Sequence, residues 1–345
     1  MSTLAPTSPV TRTPIGRLTA LFLVALAGLA VVTVLSVTLG SRDITLSVVW
    51  AALTDFDPAS TSATVVREMR LPRTVIGLLA GAALGAGGAI LQGATRNPLA
   101  DPGIMGVNAG AAAFIVTTIL VLGPMPLGVS VVMAFLGAGL ATGVVYVVAS
   151  FGREGATPVK LALAGAAVSA GLYSVTSGVV LVNVTAFNEL RFWQVGSLAG
   201  RYWPVLAQAG PFMIVGVIAA LACGRALNGL SLGDDMAVAL GQRVKLTRIM
   251  LFVLVAVLCG AATAACGPIV FVGLVIPHIA RAICGPDYRW ILPFTVVLGP
   301  IVLLIADILG RVVAPPGEVQ VGVVLGVLGA PAFIALVRRR NLAEL

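Results

Sequence analysis

The chain alternates between long apolar stretches and short polar segments. Each stretch holds about 20 residues, which at about 1.5 Å per residue lets one helix cross a hydrocarbon core of about 30 Å. The pattern predicts ten transmembrane helices, over residues 18–40, 73–94, 104–122, 127–150, 159–182, 204–223, 246–266, 268–284, 291–311 and 320–337. The predicted fold is therefore all-α, a polytopic membrane helix bundle over residues 18–337 with tails over 1–17 and 338–345.

Composition agrees with a lipid environment. Of the 345 residues, 59% are apolar and 10% are charged, and the mean hydropathy is +1.08, which is too apolar for a soluble domain. The net charge of +8 does not indicate nucleic acid, because the basic residues are scattered between apolar segments without interleaved aromatics. Four cysteines in apolar surroundings have no C-x-x-C spacing, so we expect buried thiols, without a metal or cofactor.

Basic residues also predict the orientation. An even number of crossings places both termini on one side, and a cytoplasmic N-terminus then puts 14 of the 21 basic residues inside, against 7 outside: Arg42, Arg67, Arg70, Arg73, Arg191, Arg201 and Arg311. The positive-inside rule therefore favours cytoplasmic termini. The first apolar stretch is too long for a signal-peptide core and lacks an A-x-A site, so we expect it to remain as the first helix.

Two patterns describe how the bundle is arranged. Residues Thr45 to Thr54 place Leu46, Trp50 and Leu53 at helical spacing, which predicts a short interfacial helix. Small residues recur every four positions in the second crossing and in the last, which predicts close helix packing: Gly77, Gly81, Gly85, Ala89 and Gly93, then Gly322, Gly326 and Ala330. Proline-broken turns follow the second and seventh crossings, as expected for the starts of inverted repeats.

The sequence lacks a device for coupling transport to energy. No Asp, Glu, Lys or Arg interrupts residues 74–95, 161–188, 202–224, 249–280 or 319–337, whereas ion-coupled carriers usually keep such residues at membrane depth. Lys160 and Lys245 each follow valine, so neither belongs to a Walker A loop. The single histidine, His278, is interpreted as a packed or interfacial residue. The chain is thus not expected to be an enzyme, and energy must come from another chain unless the protein is a passive pore.

A polar segment over about residues 226–245 offers a contact for such a partner. Ser231 is expected to cap a short helix, Asp234 and Asp235 to complement its N-terminus, and Gly241 to end it. Leu232, Met236, Ala239 and Leu240 then share an apolar face. This helix could lie on the membrane, but its two carboxylates would meet anionic headgroups, so a groove on a partner protein suits it better.

The same segment carries a resemblance to a known family. Asp235, Ala237 and Gly241 follow the E-A-A-x-x-x-G spacing by which permeases of ATP-binding cassette (ABC) importers engage their ATPases, with Asp for Glu and Met236 for the first Ala. Over about residues 18–337 the chain resembles the permeases of iron-siderophore, heme and cobalamin importers. The motifs are RLPR at 70–73, QG at 92–93, NPLADPG at 97–103, GPIVFVGLVIPHIAR at 267–281 and LGAP at 328–331.

The resemblance implies a bacterial plasma-membrane assembly with the type II ABC importer permease fold. Two permease chains, identical or different, would enclose one path, with two ATPase subunits inside and a periplasmic or lipid-anchored substrate-binding protein outside. Arg70, Arg73 and Arg311 match positions that meet acidic residues of the binding protein, with Asp307 able to hold Arg311; the alternative is that these arginines are interfacial anchors. ATPase coupling would fall on Leu232, Gly233, Asp234, Asp235, Met236, Ala237, Leu240 and Gly241.

The cytoplasmic gate of the family matches Asn97 and Leu99 here, and its second gating position falls near Pro158 and Val159. The favoured hypothesis is an ATP-driven importer permease for a ferric siderophore. A heme or cobalamin permease is the nearest alternative. A secondary carrier or channel and a structural scaffold stay open as alternatives of other classes, separable by whether uptake needs a partner ATPase or occurs at all.

Overall fold

A computed structural model describes residues 14–40, 44–151, 156–314 and 317–339. Within them the chain forms fifteen α-helices: α1 (Ile15–Thr38), α2 (Leu46–Thr54), α3 (Thr61–Thr64), α4 (Leu71–Thr95), α5 (Val107–Leu122), α6 (Leu127–Ala149), α7 (Pro158–Val182), α8 (Val184–Trp193), α9 (Trp203–Ala222), α10 (Gly224–Ser231), α11 (Asp234–Ala239), α12 (Val244–Cys266), α13 (Val272–Cys284), α14 (Tyr288–Val313) and α15 (Val321–Arg339). Arg42 and most of both predicted tails lie outside the described residues.

Helix α4 lies at the centre of the bundle. It packs against α9, α12, α13 and α14, and most of its side chains are buried. The predicted small-residue stripe makes this possible: a Cβ on Gly81 would lie 2.5 Å from the Cα of Pro300 in α14. Lipid supplies no hydrophobic force between helices, so close backbone approach is what holds α4 and α14 together.

Ten apolar helices are found among the described residues, as predicted. Seven are long and apolar enough to cross a membrane, with α3 and α4 forming one span over Thr61–Thr95. Three are shorter: Val107–Leu122, Val272–Cys284 and Val321–Ile334. Short helix α2 matches the predicted interfacial helix, and Trp50 is exposed on it.

The eighth predicted crossing, over 268–284, forms a helix four residues later than predicted. Residues 267–271 are non-helical, and α13 begins only at Val272. Pro277 has no N–H, so the carbonyl of Gly273 lacks its usual helical donor. The buried amide of Gln92 takes that place, with its Nε2 3.4 Å from Gly273 O and 3.2 Å from Leu274 O. Non-helical backbone at this depth is tolerated because protein covers it.

The bundle has two distinct ends, defined by α4. Its first residues lie beside the C-termini of α1 and α14, where Arg73 contacts Asp307 and Arg311 contacts Ser36; we call this the arginine end. Its last residues lie beside α11, where Arg96 contacts Asp234; we call this the α11 end. Helices α4 and α12 cross the bundle in opposite directions, and each precedes a broken turn, which fits the predicted inverted arrangement.

Candidate functional site

Helix α10 attaches the segment over residues 226–245 to the bundle. Two side chains of α10, Leu227 and Leu230, are fully buried. Asn228 donates from Nδ2 to Asp287 Oδ1 at 2.7 Å and accepts from the Tyr288 N–H at 2.9 Å, which fixes α10 to the start of α14. Hydrogen bonds from Arg289, supplemented by Asn228, lower the pKa of the Asp287 carboxyl to about 2. Asp287 therefore stays ionised and keeps this attachment at neutral pH.

Helix α11 begins two residues later than a cap by Ser231 would require. The prediction that Ser231 caps it is wrong: Gly233 occupies the N-cap position, and the Ser231 hydroxyl donates to Asn228 O. Gly233 has φ +102°, a conformation that glycine adopts without strain. Gly241, with φ +83°, follows the end of the helix as predicted, and the next N–H, of Gln242, bonds back to Ala237 O.

Four large apolar side chains project from α11 and its flanks: Leu232, Met236, Val238 and Leu240, all more than half exposed. We call this set the apolar knob. Ala237 lies on the opposite side and is fully buried. The predicted apolar face of Leu232, Met236, Ala239 and Leu240 is exposed, but the sequence did not predict Val238, because the helix is too short to keep one strict face. The knob is an apolar surface with no covering within the described chain.

Asp234 binds two arginines from different helices. Its carboxylate accepts a bidentate pair from Arg248 of α12, at 2.9 and 2.8 Å. Oδ1 also lies 3.4 Å from Arg96 Nη2 at the end of α4. Asp235, next to it, is exposed. The first carboxylate therefore ties α11 to two helices of the bundle, while the second faces outward.

The predicted gate residues form a tight turn directly after α4. Asn97 Oδ1 accepts a hydrogen bond from the Leu99 N–H at 2.9 Å, and Leu99 is exposed. A cavity of about 30 Å³ lies beside this turn, lined by Asn97 and Asp101 and, from the start of α7, by Pro158 and Leu161. The structure thus places Asn97 close to Pro158, near which the sequence predicts the second gating position.

The arginine end contains a buried ionic cluster. Arg73 contacts Asp307 through Nε and Nη2, at 3.0 and 2.8 Å, and its Nη1 lies 2.8 Å from Glu318 Oε2. Arg311 lies 3.1 Å from Asp307, as expected from their spacing. Asp307 is 1% exposed and Arg311 3%, whereas Arg73 is 13% and Glu318 28% exposed. We call these residues, with Arg70, the arginine cluster.

Two members of the cluster bind backbone rather than facing outward. Arg311 Nη1 donates to Ser36 O and Leu39 O, at 2.8 and 2.9 Å, and Arg70 donates to Val37 O and Thr38 O. These carbonyls end α1 and have no helical donor of their own. That Arg70 and Arg311 meet acidic residues of a binding protein stays a prediction, and in this structure both side chains are buried against α1.

Several residues of these sites were missed from the sequence. Arg248 lies 14 residues from its partner Asp234, and Glu318 lies 245 residues from Arg73. Only the charge balance of the outer arginines could have suggested that Glu318 pairs with one of them. Cys259, Cys266 and Cys284 are buried as predicted, and Cys223 is half-buried. Within the described ranges, no group of three or more His, Cys, Asp or Glu residues is placed to hold a metal ion.

Helix α7 exposes a row of small residues beside larger apolar ones such as Leu163 and Val175. The small residues Ala166, Ala170, Ser174 and Ser177 are all exposed along it and fall three or four residues apart. A small and partly hydroxylated face is better suited to another protein surface or to water than to lipid.

Comparison with known proteins identifies the family. Residues 28–339 match the FecCD transport family. The ferric enterobactin transport system permease protein FepD of Escherichia coli (strain K12) is 46% identical over 313 residues, which cover 91% of this chain and 93% of FepD. The probable siderophore transport system permease protein YfiZ of Bacillus subtilis (strain 168) is 41% identical, with 84% and 87% covered. The cobalamin import system permease protein BtuC of Halobacterium salinarum (strain ATCC 700922 / JCM 11081 / NRC-1) is 38% identical, with 87% and 80% covered.

Solved structures agree with this result. An inward-facing, metal-chelate type ABC transporter chain has a TM-score of 0.83 and 26% identity, and the match covers 93% of this chain and 100% of that one. The PsaBC structure from Streptococcus pneumoniae shares the fold, with a TM-score of 0.58 at 15% identity. This chain therefore belongs to the FecCD transport family, as a non-catalytic, multi-pass membrane permease of an ABC importer.

Proposed function

We propose that this chain forms the translocation path of an ATP-driven importer for a ferric siderophore. The single observation that carries the proposal is the apolar knob of Leu232, Met236, Val238 and Leu240, which needs a partner surface on a chain whose sequence carries no Walker A loop. The names of the relatives support the substrate class, since FepD and YfiZ transport ferric enterobactin and a siderophore, respectively.

The knob is proposed to enter a groove on the ATPase subunit on the cytoplasmic side. Exposed apolar side chains on a short helix provide contact area, while Asp235 and the turn at Gly241 fix its orientation. Both termini then lie in the cytoplasm of a bacterial cell. A second permease chain, identical or different, would cover the small-residue face of α7, so that the path runs between the two chains.

The gate is proposed to be the turn over Asn97 and Leu99. It lies beside the start of α7, at the same end of the bundle as the knob, so a displacement there changes the width of the path near its cytoplasmic exit. The small cavity bounded by Asn97 and Pro158 leaves room for such a displacement. The half-buried Asp101 carboxylate holds the far side of the turn by accepting from the Gly103 N–H at 2.7 Å.

The binding protein is proposed to dock on the outside, over the arginine cluster. Arg73 and Glu318 are its most exposed members, and Arg73 is proposed as the direct contact. Arg70 and Arg311 act as positioning residues, because they fix the end of α1 beneath this surface. An acidic residue of the binding protein can reach Arg73 Nη1 by replacing Glu318, which keeps the total number of ion pairs constant.

Reconstitution tests the proposed function directly. The permease is placed in proteoliposomes with its ATPase and binding protein, and uptake of a ferric catecholate siderophore is measured. Uptake should require ATP, fail with a catalytically inactive ATPase and survive collapse of the proton gradient. Uptake that follows the proton gradient instead would indicate a secondary carrier. Competition by heme or cobalamin at equal concentration would shift the substrate assignment toward those importers, as the similarity to BtuC allows.

A further inference from the structure

The end of α4 forms a junction between the proposed gate and the ATPase contact. Arg96 follows the last residue of α4 and has φ +49°, a left-handed conformation that few residues other than glycine adopt. Its N–H bonds to Gly93 O, and the N–H of Asn97 bonds to Gln92 O. These bonds fix the direction in which the chain leaves α4 and enters the gate turn.

The side chain of Arg96 extends in the other direction, to α11. Its Nη2 lies 3.4 Å from Asp234 Oδ1, and a Cβ added to Gly233 would lie 3.6 Å from its Nη1. The same carboxylate oxygen is held at 2.8 Å by Arg248. Asp234 is therefore fixed by the bidentate pair with α12, and Arg96 joins a position that is already ordered.

We infer that Arg96 transmits movement of α11 to the gate turn. A displacement of the apolar knob moves Asp234, and the ion pair carries that displacement to the residue that immediately precedes Asn97. Arg96 is a positioning residue in this scheme, since it contacts the moving segment and not the substrate. The inference rests on the proposed function, because it assumes that the knob is driven by an ATPase.

The strength of the contact sets the size of the expected effect. The side chains of Arg96 and Asp234 are 47% and 42% exposed, so the pair contributes little to folding. Its loss should therefore leave the permease folded while weakening transmission. A change of about threefold in the gate response is expected, which is the scale of one exposed ion pair.

The experiment follows the gate directly. Leu99→Cys is introduced into the complex with ATPase and binding protein, and its labelling rate by an impermeant thiol reagent is measured with and without ATP. The unmodified chain, with its four native cysteines, gives the background. Arg96→Gln should reduce the ATP-dependent change in labelling about threefold. Arg96→Lys should retain more than half of that change, because lysine keeps the positive charge but lacks the planar guanidinium group.

Arg17→Gln is the matched control, since Arg17 is an exposed arginine near the start of α1, away from the gate turn in sequence. An unchanged response in Arg96→Gln, or an equal loss in Arg17→Gln, overturns the inference.

If Arg96→Gln does not assemble, Asp234→Asn is compared with Arg248→Gln, so that loss of the Arg248 contact is accounted for. A larger loss in Asp234→Asn supports transmission through Arg96; equal responses, or failure of both variants to assemble, overturn it. Absence of any ATP response in the Leu99→Cys chain that carries no second substitution contradicts the proposed function itself.

Discussion

At the scale of single residues, the arginine cluster depends most on Asp307. This carboxylate is 1% exposed and contacts two guanidinium groups, Arg73 and Arg311. A buried charge is tolerated only when it is paired and hydrogen-bonded, and removing one partner leaves the others uncompensated. Asp307 lies in α14, Arg73 extends to it from α4, and Arg311 also binds the end of α1, so the carboxylate affects three helices at once.

Asp307→Asn should destabilise the permease strongly. Loss of one partner from a buried ion pair costs about 3–5 kcal/mol, because the remaining charges stay buried. The midpoint of thermal unfolding in detergent measures this, with Asp235→Asn as the exposed control. An equal midpoint for both variants would show that the cluster is solvated and contributes little.

Glu318→Gln should act on docking instead. It leaves Asp307 in place but frees Nη1 of Arg73, so we expect the binding protein to associate a few-fold more tightly, as one charge-assisted hydrogen bond becomes available to it. Surface plasmon resonance with the purified complex measures the affinity. Glu189→Gln removes another exposed carboxylate, from α8, and should have no such effect. Weaker association in Glu318→Gln would instead make Glu318 itself a docking contact.

At the scale of elements, α11 shows how a very short helix can present a defined surface. Six residues are too few to be stable alone. Their position is fixed from outside the helix, by Asp234 with Arg248, by buried Ala237 and by the return bond from Gln242 to Ala237 O. With these contacts on one side, the knob is left free on the other.

Met236→Asp should uncouple transport without unfolding the permease. A carboxylate in the centre of the knob would have to be buried against the ATPase, which is unfavourable without a partner charge. Uptake and stimulation of ATP hydrolysis should both fall about tenfold or more, whereas Met236→Leu, of similar volume, should retain both. Normal coupling in Met236→Asp would remove the knob from the ATPase interface.

The α4–α14 contact gives a second prediction at this scale. Gly81→Ala places a Cβ 2.5 Å from Pro300 Cα, where backbone meets backbone and neither can rotate away. Overpacking of this kind costs about 1–3 kcal/mol. Gly139→Ala in α6, where an added Cβ meets nothing within 4 Å, is the control. Thermal unfolding of the two variants should differ, and equal midpoints would show that α4 and α14 separate easily.

At the scale of the whole molecule, orientation remains a prediction that rests on the 14 to 7 division of basic residues. A single cysteine at Asp235 should be inaccessible to an impermeant thiol reagent added outside intact cells, and a cysteine at Ser60 should be labelled. The reverse pattern would invert the bundle and move the knob to the outer surface.

Much of the fold follows from local signals. Apolar length predicted the ten helices, because each crossing has to satisfy its own backbone, and the glycine spacing predicted the packing of α4. The break at residues 267–271 was only partly visible: Gly267 and Pro268 predicted a turn, but the non-helical run to Phe271 depends on how α13 packs on α4. Gly326 was expected to pack closely, yet a Cβ there would meet nothing within 4 Å, and Gly329 makes the close approach instead.

The sites depended more on contacts between distant residues. Motif spacing located α11 and the gate turn, since both are local. The pair of Arg311 with Asp307 was predicted from their spacing. The partners of Arg70 and Arg73 could not be read in the same way, because the end of α1, Asp307 and Glu318 reach these arginines only after three helices have packed. Charge pattern indicated that the outer arginines are unusual but not which group each one contacts.

The two ends of α4 should respond differently to ionic strength. Counterions screen exposed charges at about 0.15 M salt but hardly reach groups buried in protein. The pair between Arg96 and Asp234 is open to solvent, whereas Asp307 and Arg311 are enclosed. Salt should therefore loosen α4 from α11 and leave its other end fixed. Helix α4 would then stay fixed at the arginine end, while its contact at the α11 end weakens as the salt concentration rises.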